Sequence, residues 1–282
     1  VQDVFFPDAR EKLQGERPNY GTARSNVAYV SPTNPGTSAT AGESPVAAEG
    51  GTKWSQMISA ESIEDEIKAL QKLVSENVTT PAKFKGGGFK AGRRLFSELA
   101  LLFAIIGQYD SDVRWKDIAP SIRESMARAG FNCKVGTDAS YNESKLRRDD
   151  LEQLVQGGRP SLPTAEPSFT WDKVSNRPPL MQRLEEAQQQ RIAAWTSNSS
   201  EFKANAEALL REAELVAAIS HAIGQEGFEF ADDDGYLEYA HQMRDAALEI
   251  VGAVKGKNYD AARAASGNIE KACTGCHEGY RS

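Results

Sequence analysis

No stretch of this sequence is apolar for long enough to cross a bilayer. The longest strongly apolar run, Leu99 to Gly107, falls far short of the ~20 residues a spanning helix needs. Nor is there an excess of positive charge. The net charge of -7 argues against nucleic acid, whose phosphates demand clustered Lys and Arg. Strict apolar/polar alternation is scarce, so strands are not expected. The chain begins at Val1 without a charged-then-apolar start, and the expectation is that any secretory leader has been removed or was never there.

What is present describes a soluble chain able to bury cores. It is 40% hydrophobic and 26% charged, with a mean hydropathy of -0.52. Its 282 residues favour two domains over one. Acidity is concentrated late: from Asn176 onward 11 Lys and Arg face 17 Asp and Glu, a balance of -6, against -1 for everything before. A protein that docks there should present a basic face.

Composition marks two breaks. Residues 1–51 are rich in Gly, Ser, Thr, Pro and Ala without periodicity and read as an extended arm or linker. Residues 159–179 hold Pro160, Pro163, Pro167, Pro178 and Pro179, a density no helix survives. Between and after them the pattern is helical. In residues 52–158 Ser62 with the acids after it signals a helix start, and Ile63, Ile67, Leu70 and Val74 form its stripe. Further helices are expected at about Phe89 to Gln108, after Trp115 with Pro120 in the first turn, and from Tyr141 to Val155. Residues 180–282 repeat the plan. One helix reaches Trp195, one is capped by Ser199 or Ser200, one opens at Asp232 to Asp234, and one starts at Asn258. The fold class expected is all-α, two tandem antiparallel four-helix bundles behind the arm.

The two helical segments can be laid on each other. Ile106-Gly107-Gln108 matches Ile223-Gly224-Gln225 at a shift of 117, and Tyr141-Asn142 matches Tyr259-Asp260 at 118. The second shift places Val155 to Arg159 against Cys273-Thr274-Gly275-Cys276-His277.

That last string is the c-type haem attachment pattern. Two cysteines three positions apart on a helix can each add to one haem vinyl group, and the next residue brings an imidazole to the iron. The competing readings are a redox dithiol, expected near a βαβ pattern, and half a zinc site, which needs two more ligands. No strand pattern accompanies the motif, and the third cysteine, Cys133, lies about 140 residues upstream. In an oxidising compartment that odd thiol can pair between chains and give a homodimer.

The run CTGCHEGYR from Cys273 to Arg281, at the end of an all-α segment, resembles the class II c-type cytochromes, the cytochrome c-prime group. Phe202 to Leu209 (FKANAEAL) resembles the start of that family's second helix. The likeness covers about residues 176–282. It implies an antiparallel four-helix bundle with covalent haem c on Cys273 and Cys276 and His277 as the proximal iron ligand. It also implies that Arg177 approaches a propionate and that Met181 stands at the distal ligand position, with Leu184 one turn on. A Met there suits electron transfer, whereas an apolar residue leaves five-coordinate iron open to small gases. In the first segment Val155, Gly158 and Arg159 replace the thiols and the imidazole, so one haem per chain is expected. His221 and His241, both at the haem end of their helices, are further candidate ligands.

These readings lead to a monohaem c-type cytochrome, not an enzyme, that carries single electrons in the periplasm or after secretion. It would serve a redox partner protein with a basic docking face. The alternatives are a haem protein binding nitric oxide or carbon monoxide, and a redox or docking subunit of a larger complex. In the last, Leu99 to Ile106 would pack against the second bundle or another subunit.

Overall fold

The computed structural model describes residues 53–281, all within one compact unit, Glu49–Ser282. The arm expected over residues 1–51 lies outside the described residues. Among these the structure is helical, without strands. Eight helices have ten residues or more: α1 (Ala60–Asn77), α2 (Phe89–Gln108), α3 (Ala119–Asn132), α4 (Asp138–Val155), α5 (Arg177–Glu186), α6 (Ala206–Ile223), α7 (Asp234–Lys255) and α8 (Tyr259–Tyr280). α5 runs on through a π-type segment, Ala187–Ile192, to Trp195.

The caps explain the starts. Ser59, not Ser62, opens α1: its hydroxyl accepts from the Ser62 backbone N–H, so the helix begins before the serine that signals it in sequence. Thr137 and Ser140 form a reciprocal box at α4. Asn198, rather than Ser199 or Ser200, caps the short turn before α6. Asp233 caps α7 and Asn258 caps α8. Pro178 and Pro179 occupy the first turn of α5, where a missing N–H costs little.

Helices α1 to α4 pack on one another and α5 to α8 on one another, with α2 on α5 and α1 on α6 joining the two sets. Every residue from Leu95 to Ile106 is buried, because α1, α3 and α5 cover α2 from different sides. The Leu99 to Ile106 run thus packs within the chain. The Pro-rich segment is strapped down by buried Arg123 of α3. Its guanidinium donates to the carbonyls of Glu166 (2.8 Å) and Pro167 (3.1 Å) and lies 4.4 Å over the Phe169 ring. Cys133 is fully buried beside Ser144, so a disulfide between copies through it would require the fold to open.

Element starts recur at a spacing of 117 residues: Trp54 and Trp171 begin 3-10 turns, Ala60 and Arg177 begin α1 and α5, and Phe89 and Ala206 begin α2 and α6. Two pairs related by this spacing touch each other. Trp54 meets Trp171 with ring centroids 5.7 Å apart, and Glu66 meets Arg183 at 3.5 Å. Contact between equivalent positions is what a local two-fold relation produces. Off that line the exchange is reciprocal: Arg94 of α2 pairs with Glu186 (3.1 Å), and Arg211 of α6 pairs with Asp65 of α1 (3.8 Å).

Candidate functional site

Helix α8 carries the motif and is held along its length by α7. Cys273 and Cys276, one turn apart, are free thiols and half-buried. Cys273 Sγ lies 3.8 Å from Met243 Sδ on α7. Burial, with the neighbouring Cys276 adding, pushes the Cys273 thiol up to about 11. Burial also raises Cys276, against the opposing field of Arg177. Both are therefore neutral thiols near pH 7. Gly275 lets the helices approach: a Cβ there would meet the Tyr239 ring at 2.7 Å. His277 is exposed at the next position, its imidazole accessible.

The far end of α8 is tied to the start of α5 and α7. Arg177 donates to the Tyr280 carbonyl (3.1 Å), pairs with Glu229 (3.2 Å) and lies 4.6 Å over the Phe230 ring. Phe230, Tyr236 and Tyr280 pack as an aromatic triad with centroid separations of 5.3 to 5.9 Å. They hold Phe230 in the left-handed region at φ 69°, a conformation a bulky residue adopts only when its neighbours impose it. Burial pushes the Tyr236 phenol up to about 12, with Arg177 opposing. Tyr280 donates to Asp233 Oδ1 at 2.6 Å, and that bond to a carboxylate pushes its phenol up to about 12.

The structure brings Arg177 to the motif's helix, at the backbone of Tyr280. Met181 sits half-buried one turn along α5, and Leu184 beyond it is buried. The sulfur beside Cys273 belongs to Met243 of α7, one of the apolar stripe Tyr236, Ala240, Met243, Ala247, Ile250 and Val254 that the helical period draws through this helix. Tyr236 was hidden in that same stripe, since a 3.6-residue period marks which positions are buried but not what they border. His221 turns away: its ring stands edge-on to Trp54 at 5.2 Å, its Nε2 bonds Gln225, and burial pulls it down to about 4. His241 is exposed on α7.

Among the described residues no three His, Cys, Asp or Glu side chains converge as a metal-holding group. Zinc on the thiol pair would lack ligands, whereas a porphyrin brings four nitrogens and asks the protein only for an axial group and anchors. Two same-face thiols, an adjacent imidazole and a nearby guanidinium fit haem c. Comparison with known families agrees. Residues 229–281 match the family model of Cytochrome C', which supports a class II c-type cytochrome in the C-terminal region and implies a covalently bound c-type haem. No curated protein and no solved structure matches the chain.

Proposed function

We propose that this protein is a monohaem c-type cytochrome of the class II kind that passes single electrons outside the cytoplasm. The observation that carries the reading is the pair of half-buried, same-face thiols with exposed His277 next to them, inside the segment that matches the family. Cys273 and Cys276 would anchor the haem through thioethers, His277 would take the proximal position, and Arg177 would face a propionate. When bound, the haem supplies a one-electron couple whose potential follows axial ligand and burial. The protein's own part is to fix orientation and to shield one side with Met243, Tyr236 and the aromatic triad. Exposed Glu226, Glu229, Asp232, Asp234 and Glu278 near the same end would steer a basic partner toward the haem edge. Attachment to this motif demands reduced thiols and export machinery, which supports a periplasmic or secreted location.

Denatured protein purified from a host equipped for cytochrome c maturation is expected to carry the mass of one haem, and its reduced-minus-oxidised spectrum one haem per chain. Changing both Cys273 and Cys276 to Ser should abolish covalent haem. Polypeptide of unmodified mass from the unaltered gene in that host would sink the proposal.

The rival is gas binding, and one observation favours it: Met181 is only half-buried, while Leu184 on the same helix is buried. A high-spin resting spectrum with carbon monoxide bound by the ferrous form at micromolar gas assigns that function. A low-spin spectrum indifferent to the gas assigns the carrier.

A further inference from the structure

Where the start of α5 meets the first four helices there is a cleft of about 430 Å³, lined among others by Arg93, Lys134, Asp172, Arg177, Phe228 and Glu229. It holds three cations and two carboxylates. The carboxylates are already engaged, Asp172 with Lys173 at 2.8 Å and Glu229 with Arg177 at 3.2 Å. Arg93 from α2 and Lys134 from just beyond α3 have no such partner among the described residues, and the Nε of Arg93 is buried without a hydrogen bond. A guanidinium partly withdrawn from water and left unmatched is costly, and the group that best relieves it is a carboxylate or another planar oxyanion.

The cleft has one wall in common with the attachment site. Arg177 lines it, donates to the carbonyl of Tyr280 three residues beyond His277, and lies close enough to Cys276 for its charge to act on that thiol. A haem anchored on Cys273 and Cys276 carries two propionate carboxylates, anions that would match the cations the cleft's own carboxylates, engaged with Lys173 and Arg177, leave unmatched. We propose that Arg93 and Lys134, contributed by the half of the chain without a haem motif, complete with Arg177 a cationic seat for the haem propionates. The inference rests on the haem reading above. It gives the first four helices a part in the cofactor site that their own sequence, with Val155 and Gly158 in place of thiols, does not suggest.

The test uses the haem-loaded full chain. Arg93→Gln with Lys134→Gln is compared with the charge-conserving pair Arg93→Lys with Lys134→Arg, reading the reduction potential at fixed pH and the propionate bending band in resonance Raman. Positive charge near the haem disfavours the ferric state, so the neutral pair should lower the potential, by roughly a tenfold change in the reduction equilibrium per charge removed. It should also shift the propionate band. The charge-conserving pair should leave the potential near that of the parent. An unchanged potential with one haem per chain, or a lowered potential with an unmoved propionate band, overturns the proposal. If the neutral pair does not fold, Lys134→Gln alone, at an exposed position, is read by the same two criteria. Parent protein that binds no haem at all would instead refute the function from which the proposal starts.

Discussion

The least expected residue is Arg183, a charged side chain 2% exposed in the middle of the molecule. Its guanidinium bonds Glu98 (2.7 Å), Glu212 and Glu66 (3.5 Å), while Arg191 shares Glu212 (2.9 Å) and Arg211 stands 4.0 Å from Glu66. Burial works against the Arg183 charge, but the carboxylates outweigh it and hold the group well above the ordinary arginine range. Glu212 is buried too, yet it lies between two guanidiniums and stays below the usual carboxylate range. Glu98 has Arg183 alone. Burial, with Glu66 and Glu212 adding, raises it from 4.5 to about 7. In the folded protein Glu98 therefore keeps its proton through a range where the unfolded chain has lost it. The stability this contributes is complete below about pH 4.5 and is lost as pH rises through 7. The expected loss between pH 5 and 8 is on the order of 3 kcal/mol, read from urea unfolding. Glu98→Gln should flatten that slope, and an identical slope in the variant would show that another group titrates. None of this was legible in the sequence, where Arg183 and Glu98 are ordinary helix formers 85 positions apart.

At the scale of the element, the sequence was most legible where signals are local. The bounds of α2 follow from its apolar run, and those of α7 and α8 from Asp233 and Asn258. The π-type segment Ala187–Ile192 was not legible, because AQQQRI has the composition of ordinary helix. The end of α8 depends on a double use of Asp233, which caps α7 through the N–H groups of Gly235 and Tyr236 and also accepts from Tyr280. Replacing Asp233 with Ala should return the Tyr280 phenol from about 12 toward the free tyrosine value of about 10, followed by ultraviolet titration. Hydrogen exchange in the last turn of α8 should quicken in the same variant. A Tyr280 titration that does not move would mean that the bond is not formed in solution.

For the whole molecule, the 117-residue spacing and its touching pairs give the two sets of helices the geometry of a two-fold partnership inside one chain. The pairing is between unlike partners. Where Glu66 faces Arg183, two copies of the half that carries the CTGCH motif would set Arg183 against Arg183, which like-charge repulsion penalises. Removing the cation should therefore be felt across the molecule. Arg183→Met is expected to cost about 3 kcal/mol, the scale for stripping one partner from a buried ionic cluster, since Glu212 and Glu66 lose a shared counter-ion. Glu66→Gln, at the longest of the three contacts, should cost clearly less. Equal losses in urea unfolding at pH 7 would contradict the central place given to Arg183.

The sequence by itself determined the helical class and the grouping of two thiols and an imidazole within about one turn of the last helix, because helical period, caps and the CTGCH spacing act over a few residues. Only the tertiary structure decided that Trp54 lies against Trp171, that Arg183 is enclosed by acids from three helices, and that Arg93 and Lys134 share a cleft with Arg177. Those contacts join positions from 29 to 117 residues apart, and most of them arise from the packing of the first four helices against α5 and α6, which no local spacing encodes.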